Sequence, residues 1–180
     1  MINDHDEIET SFVLDEDQIQ EVKESVNEIF AVKSLVSGDD NYWRTSETIN
    51  GFHYSLIPDQ LDAIGDWLQL RTGQKLQTTE CELLIYQKGQ YFKRHKDVIP
   101  RDQKFKWLPR TYTTVTMIDK TDDLEGGNLI IYDNSDDTIG HSFNLEIGET
   151  IAFRSALDHE ATKIMQGKRM VLVAWYYPCS

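Results

Sequence analysis

Residues 78–97 read TTECELLIYQKGQYFKRHKD, and residues 149–177 read ETIAFRSALDHEATKIMQGKRMVLVAWYY. Both stretches are short apolar or β-branched runs broken by polar and glycine positions, a pattern of strands rather than helices. Between them the texture continues in TYTTVTMI (111–118), NLIIYD (128–133) and HSFNLE (141–146). Gly89, Gly126, Gly127, Gly140, Gly148 and Gly167 stand at the breaks. Many short strands joined by glycine turns pack as a sandwich or barrel.

Upstream the period changes to that of helices. Asp15 with Gln18 three residues later reads as a capping box, and Ile19, Val22, Val26, Ile29 and Phe30 then share one helical face, with Gly38 as a stop. A short strand is expected around Gly51 to Leu56. Pro58 opens a second helix, which places Leu61, Ile64, Trp67 and Leu68 on one face and ends at Gly73. Two helices followed by about eight strands make an α+β chain: a double-stranded β-helix, or jelly roll, buttressed by N-terminal helices. The expected organisation is a flexible acidic tail over 1–12 and one domain over 13–180, with helical support at 13–75 and the jelly-roll core at 78–178.

Within that frame, His95 and Asp97 stand at i and i+2 of an extended segment, so both side chains project to the same face. An imidazole beside a carboxylate can fill two sites of an octahedral metal. The third ligand must come from elsewhere, and His159, at the start of a late strand, is the best candidate. Two histidines and one carboxylate on one face leave three positions open, the facial arrangement of non-haem Fe(II) oxygenases. Open positions are what 2-oxoglutarate and O2 need. The distal carboxylate of 2-oxoglutarate then needs a fixed cation, and Arg169 supplies a bidentate, permanently charged grip.

Each element taken singly has a plainer reading. His95 alone serves equally as a surface or structural histidine, Asp97 as a turn or cap, Arg169 as a surface ion pair. The ordered combination carries the weight: a tyrosine and glycine upstream, H-x-D, a Gly-Gly turn, a distal histidine, and an arginine ten residues on. Glu160 faces away from His159 on a strand and is expected to be solvated. His5, His53 and His141 have no partner spacing.

In that combination, YQKGQYFKRHKD (86–97) resembles the Y-x-x-G-x-x-F-x-x-H-x-D segment of the prolyl 4-hydroxylase branch of the Fe(II)/2-oxoglutarate-dependent oxygenases. EGGNLIIYD (125–133) is similar to that branch's Gly-Gly-initiated strand, and HEATKIMQGKRMVLVAWYY (159–177) to its distal-histidine segment. The resemblance implies that His95, Asp97 and His159 bind Fe(II), that Arg169 and Tyr86 hold 2-oxoglutarate, and that Trp175 lines the substrate entrance. It implies hydroxylation of a prolyl residue in a protein or peptide, with release of succinate and CO2. The same iron site would serve a small molecule such as a free amino acid, and a jelly roll that only binds metal is the non-catalytic alternative. Met117 departs from relatives that place a further co-substrate tyrosine there; Thr113 or Thr114 is the replacement expected. Asp97 stands where halogenating relatives have a small residue, which favours hydroxylation.

Charge bears on the partner. The net charge is −13 over 180 residues, and residues 1–40 hold 12 Asp/Glu against 2 Lys, a balance of −10 that leaves −3 for the rest. Lys88 to Arg110 is locally basic, with eight Lys/Arg against Asp97 and Asp102, and it includes Phe105 and Trp107. It reads as a partner for the acidic N-terminal helix, as a lid gripping an acidic peptide with Trp107 on the substrate, or as a phosphate-binding loop with Trp107 stacked on a base. The global charge argues against a nucleic acid. No run of 18 apolar residues exists to span a membrane, and the acidic N-terminus does not read as a secretory signal. Cys81 and Cys179 form no disulfide framework, so a reducing cytoplasm is the expected setting.

Overall fold

The computed structural model describes residues 8–27, 31–32, 46–49, 52–98, 110–133 and 138–179. Its elements run in the order β1 (Ile8–Phe12), α1 (Glu16–Asn27), β2 (Ala31–Val32), β3 (Glu47–Ile49), a 3-10 turn (Tyr54–Leu56), α2 (Pro58–Thr72), β4 (Leu76–Gln87), β5 (Phe92–His95), β6 (Tyr112–Lys120), β7 (Glu125–Gly126), β8 (Leu129–Tyr132), β9 (Gly140–Phe143), β10 (Glu149–Arg154), β11 (His159–Ala161), β12 (Ile164–Gln166) and β13 (Lys168–Pro178). A seven-stranded major sheet has the order β1-β10-β6-β13-β4-β3-β2, and a four-stranded minor sheet the order β5-β11-β8-β9. The two sheets face each other as a double-stranded β-helix, and both helices lie on the outer face of the major sheet.

Strand β13 shows how the sequence builds this. Arg169, Val171, Val173 and Trp175 point between the sheets, whereas Leu172, Ala174 and Tyr176 point to the helices. Both faces are covered, so the strand reads as one apolar run instead of alternating. Tyr176 ties the layers together: its hydroxyl donates to the carbonyl of Leu61 in α2 at 2.7 Å. Ile64 and Leu68 pack on the same surface. Among the described residues no helix is long and apolar enough to cross a membrane.

The helix signals hold at their starts. The Gln18 backbone N–H donates to Asp15 Oδ1 at 2.9 Å, and the Asp15 N–H to Gln18 Oε1 at 3.1 Å, a reciprocal capping box. Gly73 closes α2 with φ of 67°, its N–H on the carbonyl of Gln69. Three expectations are corrected. The first helix does not run on to a stop at Gly38, because Ala31–Val32 pairs with β3; Ile29, Phe30 and Gly38 lie outside the described residues. The strand expected at Gly51–Leu56 falls earlier, at Glu47–Ile49, and Tyr54–Leu56 is a 3-10 turn capped by His53. Ile8–Phe12, assigned to the tail, is an edge strand on β10; its pattern is too short and polar to signal a strand without that partner.

The Gly126-Gly127 turn is a packing device. Gly126 has φ of 76°, and a Cβ there would lie 2.2 Å from the carbonyl oxygen of Lys163. A Cβ on Gly127 would lie 2.1 Å from Ile164 Cδ1. Gly126→Ala is therefore expected to destabilise the protein by about 2–3 kcal/mol, from left-handed backbone strain and a clash with backbone. Urea denaturation checks it; a loss below about 0.5 kcal/mol would show that β12 yields freely.

Candidate active site

His95 on β5 and His159 on β11 are direct partners in the minor-sheet ladder, their ring centroids 4.2 Å apart. Phe92 stacks on His95 at 3.7 Å and Phe153 meets His159 edge-on at 4.7 Å, so apolar rings wall the imidazoles. Asp97 follows just past the end of β5, its backbone N–H donating to the carbonyl of Ser155 at 2.9 Å. The three residues offer ligand atoms that all lie within 4.8 Å of one another. Asp97 Oδ1 is 3.5 Å from His95 Nε2, and Oδ2 is 3.4 Å from His159 Nε2. Ligands about 2.1 Å from one ion lie about 3–3.5 Å apart, so both pairs fit a single metal.

The tautomers favour the same reading. His95 Nδ1 sits 2.6 Å from the carbonyl of Lys93, and His159 Nδ1 3.1 Å from that of Leu157. A carbonyl only accepts, so each Nδ1 carries a proton and each Nε2 turns to Asp97. Thr113 Oγ1 donates to Asp97 Oδ2 at 2.8 Å and lies 3.0 Å from Ser155 Oγ, which forms a short chain onto the carboxylate. Burial pushes the Asp97 carboxyl up, but hydrogen bonds from His159 and His95 overcome this and hold it well below the usual carboxylate range. The Trp175 indole also favours the anion from nearby, although its Nε1 has no hydrogen-bond partner by distance and angle. The histidine bonds exist only with Nε2 protonated. With neutral imidazoles, two lone pairs and a carboxylate that accepts from Thr113 converge, an arrangement that a divalent cation would satisfy.

Arg169, on β13 opposite Tyr86 of β4, is 5% exposed. Its Nε has no partner, and its Cζ lies 4.9 Å from the Tyr86 ring centroid. Burial lowers the guanidinium from its ordinary range, with Tyr86 opposing, and no carboxylate of the described residues pairs with it. A buried cation lacking an anion costs several kcal/mol, a cost that an anion entering the pocket would offset. The space between the sheets, about 460 Å3 including its open mouth, is lined by the triad, Arg169, Tyr86, Thr113 and Trp175 among apolar side chains.

Other predicted residues separate. Trp175 is buried at the pocket, with Arg110 stacked 3.8 Å above its ring and Arg110 held by Glu80 at 2.7 and 2.8 Å. Neither Arg110 nor Glu80 had a signal in sequence. Met117 is core. Of the expected replacements, Thr114 faces the other way and donates to the carbonyl of Ala174, while Thr113 lines the pocket with its proton committed to Asp97. Glu160 is bound rather than merely solvated, accepting the Tyr132 hydroxyl at 2.8 Å. Trp107, Phe105 and the rest of the supposed lid from residue 99 to 109 lie outside the described residues.

Fold and site together define an oxygenase-type jelly roll, with a two-histidine, one-carboxylate cluster and a buried cation at one pocket. Residues 81–177 match the family model described as the 2OG-Fe(II) oxygenase superfamily, and the chain belongs to that superfamily, whose members use Fe(II), 2-oxoglutarate and O2. A search of curated protein sequences finds no match. Among solved structures the chain is similar to a Pseudomonas putida prolyl-4-hydroxylase, with 18% identity, a TM-score of 0.69, and coverage of 97% of this chain and 94% of that one. It is similar to the viral collagen prolyl hydroxylase of Paramecium Bursaria Chlorella virus-1 in its 2OG complex, with 16% identity, a TM-score of 0.70, and coverage of 99% and 100%. The non-heme alpha-ketoglutarate-dependent epimerase SnoN from nogalamycin biosynthesis also matches, with 13% identity, a TM-score of 0.70, and coverage of 97% and 77%.

Proposed function

We propose that this protein is a 2-oxoglutarate-dependent hydroxylase of a prolyl residue in a protein or peptide. The observation that carries the oxygenase chemistry is the buried Arg169, without a carboxylate partner among the described residues, sharing one pocket with the His95–Asp97–His159 cluster. On this reading the three ligands hold Fe(II), which supplies O2 activation coupled to oxidative decarboxylation of 2-oxoglutarate to succinate and CO2. Arg169 pairs with the distal carboxylate of 2-oxoglutarate, and Tyr86 adds a hydrogen bond. Thr113 orients Asp97 through its hydroxyl, with Ser155 behind it. Leu84, Leu129, Val171 and Val173 keep water from the reacting carbon.

The peptide part rests on the pocket's mouth and on likeness. Trp175, pinned flat by Arg110 and Glu80, offers an apolar plane of a size that suits a pyrrolidine ring. A prolyl hydroxylase from Trichoplax adhaerens, solved with a hypoxia inducible factor peptide fragment, shares the fold. SnoN, an epimerase, shares it as well, so the fold alone does not choose the reaction, and hydroxylation of a small molecule such as a free amino acid is the alternative on the same site. The test supplies Fe(II), 2-oxoglutarate, O2 and a library of proline-containing peptides, and reads the gain of one oxygen atom by mass spectrometry against succinate released. Trp175→Ala is expected to raise the peptide KM by at least about tenfold and to leave peptide-free turnover of 2-oxoglutarate intact. Turnover of free amino acids with no peptide modified would overturn the peptide assignment.

A further inference from the structure

The ladder that holds His95 is weak. β5 is a four-residue edge strand, and its pairing with β11 is irregular: His159 faces His95, but Ala161 faces Phe92, so a bulge separates the two registered pairs. Bulges loosen local pairing and re-aim side chains. A metal ligand on such a strand needs another anchor.

That anchor lies on the outer face of the minor sheet. Neighbouring residues on a strand point to opposite faces, so the residues flanking the inward ligands point outward. Arg94, next to His95, reaches past β11 and stacks 3.8 Å above the ring of Tyr132 on β8. It also meets Asp158, next to His159, at 3.3 Å. Lys96, between His95 and Asp97, lies 3.7 Å from the same carboxylate. Tyr132 is held in turn: its hydroxyl donates to Glu160 at 2.8 Å, and its backbone N–H to the carbonyl of Asp158 at 2.8 Å. The contacts therefore connect β5, β11 and β8 through the immediate neighbours of all three clustered residues.

We propose that Arg94, Asp158 and Tyr132 form an outer brace that sets the spacing of the metal ligands on the opposite face, with Arg94 as the principal positioning residue. The inference rests on the metal reading of His95, Asp97 and His159. None of the brace residues touches the metal position, so its effect is on affinity and geometry rather than on the ligand set. Asp158 and Arg94 are each about a third exposed (28% and 33%), so their charge pair alone contributes little to folding. Its consequence is local, on a strand that the ladder leaves loose.

The test is Co(II) titration of the metal-free protein, following the visible d–d bands, beside thermal unfolding of the same samples. Arg94→Met is expected to weaken Co(II) binding by about tenfold, as loss of an outer support does, and to change the band pattern. The melting temperature of the metal-free protein should stay within about 2 °C of the wild type. Arg94→Lys retains the charge facing Asp158 but loses the planar stack, and should recover part of the affinity. Tyr132→Phe, which keeps the ring and loses the Glu160 bond, should show a smaller loss. Unchanged Co(II) affinity and spectrum in Arg94→Met would overturn the brace, as would a loss accompanied by an equal fall in stability and no rescue by Lys. Wild type and His159→Ala run in parallel separate the two questions: if the wild type binds no Co(II), the metal reading itself fails.

Discussion

His159→Ala is expected to abolish metal binding at the site and to lower turnover of 2-oxoglutarate at least about a thousandfold, equivalent to about 4 kcal/mol of transition-state stabilisation. His159 stands at the centre of the minor sheet, paired on one side with His95 and on the other with Ile131. Its Nδ1 is fixed by the carbonyl of Leu157, so Nε2 cannot turn away from the cluster without breaking a buried hydrogen bond. Removing it leaves one imidazole and one carboxylate, too few to hold a divalent ion with open positions for co-substrate. The fold should survive. The lost edge contact with Phe153 costs stability, but removal of an acceptor from the convergent set gives some back, and no ladder bond involves the side chain. Titration with Fe(II) and 2-oxoglutarate without O2, watching the weak visible band of a chelated 2-oxo acid, checks the outcome. A variant that kept wild-type affinity would show that His159 is not a ligand of the bound metal.

Arg169→Met should separate binding from stability. Affinity for 2-oxoglutarate should fall by at least about a hundredfold, since breaking a buried, hydrogen-bonded charge pair costs about 3–5 kcal/mol. The metal-free protein, however, should melt at the same temperature as the wild type or higher. Arg169 is 5% exposed with no carboxylate partner among the described residues, and its Nε is unsatisfied, so the folded state carries the cost of a desolvated charge. Methionine fills similar volume without that cost. Calorimetry with and without 2-oxoglutarate reads both quantities on one sample. A variant that bound 2-oxoglutarate as well as the wild type would end the anchor assignment and move attention to Lys168 or Lys163. A variant that melted far lower would mean that Arg169 is chiefly structural.

The residues that could be found in advance are those whose partners are close in sequence or whose type is rare in its setting. Asp15 and Gln18 form their box within one turn. His95 and Asp97 share a face because a strand repeats every two residues. Arg169 stands out as a charge at the start of an apolar run. The errors came where a segment has little pattern of its own. Ala31–Val32 and Ile8–Phe12 are strands only because β3 and β10 offer them ladder partners, and tertiary pairing overrides weak local preference.

By itself the sequence determined where the two helices start, the strand-rich character of the chain after residue 78, the capping signals, the alternation that turns Arg169 and Trp175 to one side, and the residue types available to hold a metal. Each follows from backbone periodicity, which acts over two to four residues. Only the tertiary structure decided that His95 faces His159 beside a bulge. It also decided that Thr113 and Ser155 support Asp97, that Arg110 and Glu80 pin Trp175, and that Arg94 of β5 stacks on Tyr132 of β8. The contacting residues in these pairs are 16 to 95 positions apart or more than one strand away. They meet through strand register, which a slip of one residue would turn to the opposite face.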